Sequence, residues 1–224
     1  MKSISSYIFN LSPKKLAIYL VLGPLVLFFV HTIITIAFRT ISGTSAGSET
    51  TVQILLGMLF LFLATIVLLW LFWLRSTVFT AEESELGLPK KWFNLAFVVF
   101  IVYLLYNCCH FLIDYVQEDY RHIFYALNEF IAFGGLLIAY PVICHYAARA
   151  IVVKKDGKPA TFISALPYSL LLIFGTVIGI PFLHKYFSSK TSTNNQIIII
   201  YAIAFGLFAV IFVIGFLAAI TGLI

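Results

Sequence analysis

The sequence predicts an all-α bundle of transmembrane helices, on the basis of its composition and of the length of its apolar runs. Of 224 residues, 62% are apolar and 10% are charged, whereas soluble domains are roughly half apolar and about a quarter charged. The 14 Lys and Arg and the 9 Asp and Glu are too few to cover a water-soluble domain of this length. Six apolar runs reach the roughly 20 residues that a helix needs to cross a bilayer core of about 30 Å. We therefore predict one polytopic transmembrane domain over residues 1–224.

Residues 2–11 precede the first run. Ile4, Tyr7, Ile8 and Leu11 recur there at helical spacing, which predicts a short amphipathic helix on the membrane surface. Disorder of this stretch is the alternative.

The apolar runs follow one another with short connections. The first run begins after Lys14 and Lys15, and it is too long for the apolar stretch of a signal peptide. The fourth carries Glu129, and the fifth, which is the shortest, lies between two prolines. The predicted spans are Leu16–Phe38, Val52–Leu74, Phe93–Ile113, Ile123–Ala147, Leu166–Leu183 and Ile197–Ile220.

The distribution of positive charge predicts the orientation, because Lys and Arg in short loops stay in the cytoplasm. With six spans, ten Lys and Arg fall on the side of the first residues and four on the other. We therefore predict that both ends of the chain are cytoplasmic. Trp73, near the end of span two, is predicted on the cytoplasmic side, and His184, at the end of span five, near the outer surface. The four cations on the outer side are Arg39, Arg121, Lys185 and Lys190.

Ionisable residues within the spans are candidates for function, because a membrane makes them costly. At 1.5 Å per residue, His31, His110 and Glu129 all fall in the outer leaflet. On span three, Asn107, His110 and Asp114 recur at steps of three or four and share one helix face. A carboxylate one turn from an imidazole is the arrangement of proton relays and of metal-binding histidines.

Three interpretations of this outer-leaflet layer stay open. In the first, His110 and Asp114 contact water at the membrane–water interface. Glu129 then pairs with Arg121, His122 or a backbone donor. In the second, the layer is a small polar cavity that binds a solute, an ion or a proton. In the third, it is a metal or catalytic centre, because His and Glu suit zinc. The sequence has no metal-ligand spacing such as H-E-x-x-H, so we predict no metal, no cofactor and no catalytic residue.

A basic patch surrounds the Asp-Gly turn after span four. Such a patch attracts anionic lipid headgroups at roughly 1 kcal/mol per cation, although the orientation of the protein alone also accounts for it. Its members are Arg149, Lys154, Lys155 and Lys158.

Small residues at four-residue spacing predict close helix packing, because helices in lipid associate where their backbones approach. These faces either pack the six helices together or dock a partner subunit or a second copy through spans five and six. The pairs are Gly175 with Gly179, Ala202 with Gly206 and Gly215 with Ala219.

Residues 148–185 carry a resemblance to a known group of proteins. The stretch Ala148–Ile151, the basic turn through Lys158, Thr161-Phe162 and the run through Ile178-Gly179-Ile180 together resemble a group of uncharacterised multi-span membrane proteins of Bacteroidota. This chain has Pro181 and His184-Lys185 where that group has an aromatic residue and a Gln-Pro-Lys close. The resemblance implies a bacterial inner membrane and carries over no functional residues.

We expect an integral protein in contact with the lipid bilayer and not with nucleic acid. A structural or accessory subunit of a membrane complex agrees best with the absence of an enzymatic motif in the sequence. The alternative is a transport component that handles a solute or a proton through the outer-leaflet layer, and a membrane-embedded metal-dependent enzyme comes third.

Overall fold

In the computed structural model, every regular secondary-structure element is a helix among the residues that it describes. It describes residues 2–42, 46–109, 118–190 and 192–220, and no strand occurs among them. Two π-helical segments, Ile18–Leu22 and Phe133–Ala139, continue directly into the α-helices on either side. The α-helices are α1 (Lys2–Asn10), α2 (Pro13–Ala17), α3 (Gly23–Ser42), α4 (Ala46–Val78), α5 (Glu83–Leu86), α6 (Lys90–Cys109), α7 (Glu118–Ala132), α8 (Tyr140–Asp156), α9 (Phe162–His184) and α10 (Asn194–Ile220).

Four helical stretches of the described residues are long and apolar enough to cross a membrane. They are Pro13–Ala37, Ile123–Asp156, Phe162–His184 and Asn194–Leu217. These stretches coincide with predicted spans one, four, five and six. Predicted spans two and three lie on α4 and α6, apart from residues 110–113, which fall outside the described residues. The prediction of an all-helical fold with helices that can span a membrane is confirmed for the described residues, and the number of crossings stays a prediction.

The chain forms two compact units. The first comprises Met1–Trp73 and Val177–Ile224, and the second comprises Leu74–Thr176. Both boundaries fall inside a helix, so α4 and α9 each contribute residues to both units. The prediction of a single domain stays a prediction.

In the first unit, α10 packs against α2, the first π segment and α3. Ala17, Ile197 and Ile200 form the buried centre of this contact. Phe182 stacks on Tyr201 beside them, with 5.2 Å between ring centroids. The predicted amphipathic helix is present as α1, and its Ile8 is buried while Tyr7 is exposed; its place on a membrane surface stays a prediction.

In the second unit, α6 packs against the second π segment and α8. Aromatic rings fill the contact: Phe93 lies 5.8 Å from Tyr146 and Phe100 lies 5.3 Å from Tyr140, measured between centroids. Gly135 makes the approach possible, because a Cβ at this position would lie 2.3 Å from Cβ of Tyr103. A side chain at Gly135 would therefore push α6 away.

Prolines account for the irregular places in the long helices. Pro24 follows the first π segment by two residues, and Pro141 follows the second by two. Proline has no N–H and its ring collides with the carbonyl four residues earlier, so a widened turn before it relieves the clash. In α9 the helix breaks five residues before Pro181, at Thr176, whose φ is 38°. This β-branched residue takes a backbone conformation that favours glycine.

Candidate functional site

The structure describes part of the predicted outer-leaflet layer. His110 and Asp114 lie outside the described residues. Asn107 is exposed on α6, and its side-chain amide donates to a carbonyl one turn earlier on the same helix at 2.8 Å. Glu129 is exposed on α7. His31 belongs to the first unit, whereas Asn107 and Glu129 belong to the second, so convergence of the layer stays a prediction.

His31 and Thr35 lie one turn apart on α3 and share a further property. His31 Nε2 and Thr35 Oγ1 are buried, and neither has a hydrogen-bond partner among the described residues. A buried polar atom without a partner costs free energy of roughly 1–3 kcal/mol. The pair therefore marks the polar spot within the first unit where water or a small polar ligand would be stabilised.

The most connected polar side chain of the second unit is Arg149, which is 8% exposed. Its Nη1 donates to the carbonyl of Leu86 at 2.5 Å and to the carbonyl of Ala160 at 3.3 Å. Its Nε donates to His145 Nε2 at 3.0 Å. These bonds tie the end of α5 and the chain before α9 to α8. Arg149 is thus bonded inward, and the predicted lipid-headgroup contact rests on the three exposed lysines of the patch.

The donor and acceptor roles around His145 follow from Arg149. A guanidinium only donates, so His145 Nε2 is the acceptor and Nδ1 carries the proton. Nδ1 lies 2.9 Å from Ser169 Oγ and therefore donates to it. The Ser169 hydroxyl in turn donates to the carbonyl of Ala165 at 3.0 Å. The histidine consequently cannot accept the serine proton, and this Ser-His pair is not arranged as an activated nucleophile.

Gly87 makes room for this network at the end of α5. Its φ is 65°, a conformation that L side chains rarely adopt. A Cβ there would lie 3.1 Å from Arg149 Nη1. Ala160 N–H completes the junction by donating to the carbonyl of Glu85 at 2.8 Å. The loop at Gly87 and the loop at Ala160 are therefore held together at one end of the second unit.

The first unit contains a second polar centre at His184, which is completely buried. Trp73 Nε1 donates to His184 Nδ1 at 3.0 Å. The imidazole proton is therefore on Nε2, which donates to the carbonyl of Leu11 at 2.9 Å. Ser188 Oγ donates to the same carbonyl at 2.7 Å. The chain between α1 and α2 is thus bonded to the end of α9.

This centre conflicts with the predicted position of His184. The prediction places His184 near the outer surface, and it places Leu11 and Trp73 on the cytoplasmic side. Two hydrogen bonds join these residues directly. A third hydrogen bond also joins the start of the chain to the residues after α9, because Lys14 N–H donates to Ser192 Oγ at 3.3 Å. The end of α9, together with Ser188 and Ser192 after it, is therefore in contact with the start of the chain.

The second unit also has an open cavity of about 460 Å³ on its surface, a size typical of ligand pockets. Its walls come from the start of α6, the first half of α8 and the first part of α9. His145 and Ser169 are the polar members of an otherwise mostly apolar lining. The lining residues are Leu88, Trp92, Pro141, Val142, His145, Tyr146, Phe162, Leu166, Ser169, Leu170 and Ile173.

The sequence carries a signal for one of the contacts around Arg149 and His145 but not for the others. His145 and Arg149 are four residues apart on a predicted helix, so their contact was accessible from spacing alone. Ser169 and Leu86 have no such signal, because they meet Arg149 or His145 only through tertiary packing. Among residues 2–42, 46–109, 118–190 and 192–220, no three His, Cys, Asp or Glu side chains lie close enough to hold a metal ion.

No protein-family model matches the chain, and comparisons with curated proteins and with solved structures find no match either.

Arg149→Ala tests the role of the guanidinium. The substitution leaves the carbonyls of Leu86 and Ala160 without this donor, so we expect a loss of about 2–3 kcal/mol in the free energy of unfolding. The measurement is denaturant titration of the purified protein in detergent micelles, followed by circular dichroism. Lys154→Ala, on the same helix and exposed, is the control and should change little. Equal stability of the two variants would contradict a structural role for Arg149.

Proposed function

We propose that the protein is a multi-pass membrane protein that serves as a structural or accessory subunit and associates through the outer face of α10. The resemblance of residues 148–185 to multi-span proteins of Bacteroidota supports a bacterial inner membrane as its location. The observation that carries the proposal is an open row of small residues on α10.

Only one side of α10 is packed within the first unit. Ile197, Ile200, Ala204 and Ile211 are buried, at steps of three, four and seven residues. Large apolar side chains elsewhere on the helix are exposed, and Phe205 is 75% exposed. In a membrane this exposed surface faces lipid or another helix.

Small residues follow one another along the exposed surface of α10. Ala202, Gly206 and Ala209 are exposed, at steps of four and three residues. A Cβ built at Gly206 or at Gly215 meets no described atom within 4 Å. Such a groove lets a second helix approach closely in lipid, where shape and van der Waals contact replace the hydrophobic effect. A partner subunit or a second copy of this chain fits it.

Gly206→Leu should remove this association. The leucine side chain fills the groove and holds an incoming helix away, so the mass of the detergent-solubilised assembly should fall to that of one chain. Light scattering after size-exclusion chromatography measures the mass, and mass spectrometry identifies what co-purifies. Ile203→Leu, a conservative change at a residue that is also exposed, should leave the assembly intact. A wild-type protein that purifies alone as a monomer would overturn the proposal.

We further propose that α9 enters the membrane and returns, so that the chain has five crossings and one re-entrant segment. The loop before α9 is bonded to the loop after α4 through Ala160 and Glu85. The last residue of α9, His184, is bonded to Trp73 of α4. Trp73 lies only about 7.5 Å before the end of α4, at 1.5 Å per residue. Each end of α9 is thus bonded, within its own unit, to a residue of the last part of α4 or of the loop that follows it.

Helix lengths support a re-entrant segment. The break at Thr176 divides α9 into residues 162–175 and 177–184, about 21 Å and 12 Å long. Neither piece spans a core of about 30 Å. Irregular backbone at this depth is tolerated where protein groups satisfy it. Tyr140 Oη donates to the carbonyl of Leu172 at 2.8 Å, before the break, and Tyr201 Oη donates to that of Ile178 after it.

The charge distribution becomes more one-sided in this topology. Lys185 and Lys190 move to the cytoplasmic side, which leaves Arg39 and Arg121 as the two cations on the other. This is the bias that the positive-inside rule expects. The end of α10 then lies on the external side, in contrast to the six-span prediction.

Reporter fusions distinguish the two topologies. Alkaline phosphatase fused after Ile224 should be active, and green fluorescent protein fused there should be dark, because position 224 is external in the five-crossing topology. Six crossings require the opposite pattern. The same reporters fused after Gly157, which both topologies place in the cytoplasm, are the control. As a second measurement, Ser189→Cys in a parent without native cysteines should react with an impermeant maleimide only after permeabilisation.

A transport role is the second candidate, and the buried His31 and Thr35 favour it. Their side-chain atoms have no partner among the described residues, and a neutral imidazole can both donate and accept a hydrogen bond. In this role His31 would carry a proton or bind a small polar solute.

Proteoliposomes with an imposed pH gradient test the transport role. The wild-type protein should dissipate the gradient faster than protein-free vesicles, and His31→Phe should return the rate to that of empty vesicles. Thr32→Val is the matched control, because the Thr32 hydroxyl already donates to the carbonyl of Phe28 at 2.9 Å. Equal rates for His31→Phe and wild type would exclude His31 as the proton carrier.

A further inference from the structure

The cavity of the second unit is long and lies along the helices. Its lining on α9 runs from Phe162 to Ile173, a distance of about 16 Å along the helix axis. Phe162 is the first residue of α9, and Trp92 is the third residue of α6. Both proposed topologies begin α6 and α9 at the cytoplasmic membrane surface, so on that basis one end of the cavity lies at the surface and the other in the hydrocarbon region.

The walls of the cavity favour an apolar occupant. The polar lining atoms of His145 and Ser169 already bond to each other and to Arg149 and Ala165. A polar ligand would have to break these hydrogen bonds, and the free energy lost by breaking them exceeds what the new bonds to the ligand would contribute. A hydrocarbon chain needs no such partner and gains contact with the surrounding apolar side chains.

Cations lie at the surface end of the cavity. Lys91 Nζ is 5.5 Å from the ring centroid of Trp92, which lines the cavity. Lys155 Nζ is 5.5 Å from the ring centroid of Tyr168, the neighbour of Ser169, and it also lies 3.8 Å from Asp156 Oδ1. Lys91 is thus the cation beside the cavity for which the structure shows only an aromatic neighbour among the described residues.

We propose that this cavity holds one acyl chain of an anionic glycerophospholipid, whose phosphate group lies at Lys91. The lining along α9, about 16 Å long, suits an extended hydrocarbon chain, and the hydrogen bonds that His145 and Ser169 already make disfavour a polar ligand. The lysine selects the negative headgroup. The bound lipid would lie between α6, α8 and α9 and fill the space that the three helices leave.

Brominated lipids test the proposal, because bromine on an acyl chain quenches a tryptophan that it contacts. The purified full chain is reconstituted in phosphatidylcholine vesicles that contain a small fraction of brominated phosphatidylglycerol or the same fraction of brominated phosphatidylcholine. We expect the quenching of Trp92 to reflect an enrichment of about fivefold for phosphatidylglycerol, the contribution of one cation at a membrane surface. Trp92→Phe should remove this difference, because Trp70 and Trp73 do not line the cavity.

Two pairs of variants locate the bound lipid. Val142→Phe fills the cavity and should abolish the excess quenching, whereas Ile163→Phe, at an 80% exposed position outside the lining, should retain it. Lys91→Gln leaves the cavity unchanged and should also abolish the preference, whereas Lys185→Gln should not. Lys91→Gln keeps the test valid even if the filled variant does not fold.

Two results would overturn the proposal. Equal quenching by the two brominated lipids would show that no anionic headgroup is selected. Excess quenching that persists in a folded Val142→Phe protein would show that the lipid lies on the outer surface of the helices and not in the cavity.

Discussion

Backbone carbonyls that have no helical partner are the constraint on which this structure depends. Lipid supplies no hydrogen-bond donors, so each such carbonyl inside the membrane must be satisfied by the protein. Where helices end or break, side chains from neighbouring helices provide the donors. The pairs are Tyr140 with Leu172, Tyr201 with Ile178, Arg149 with Leu86 and Ala160, and His184 with Leu11.

The same constraint determines what the polar residues can do chemically. Arg149 and His184 are the kind of side chains that would suggest a reaction centre in a membrane. Each is committed to a carbonyl, and the bonds around them assign every proton on His145 and His184. Because these side chains are already hydrogen-bonded, binding by this protein depends on the shape of its surfaces and on its remaining polar and charged groups. The features on which a function can be built are therefore the exposed small residues of α10, the apolar cavity, the exposed lysines, and the His31 and Thr35 side-chain atoms that have no partner in the described part of the chain.

Several parts of the fold were predictable, because they depend on local properties of the chain. Span length and apolar content led to helices at the right places, and the helical spacing of apolar residues such as Ile4 and Ile8 indicated the amphipathic helix α1. The position of His184 was not predictable in this way. Hydropathy does not distinguish a continuous helix from one that breaks at Thr176, since both have the same composition. The rule that every apolar run crosses the membrane separated His184 from Leu11 by the thickness of a bilayer, whereas a hydrogen bond joins the two residues.

The candidate site shows the same division. The scarcity of charge identified the few ionisable residues worth examining, and helical spacing could relate His145 to Arg149. Their other partners are distant in sequence, because Leu86 and Ser169 approach α8 only when α5, α6 and α9 pack around it. The sequence by itself determined that this is a helical membrane protein with few charges to place. Only the tertiary structure decided which of those charges bond inward, because the choice depends on which broken or terminated helix leaves a carbonyl within their reach.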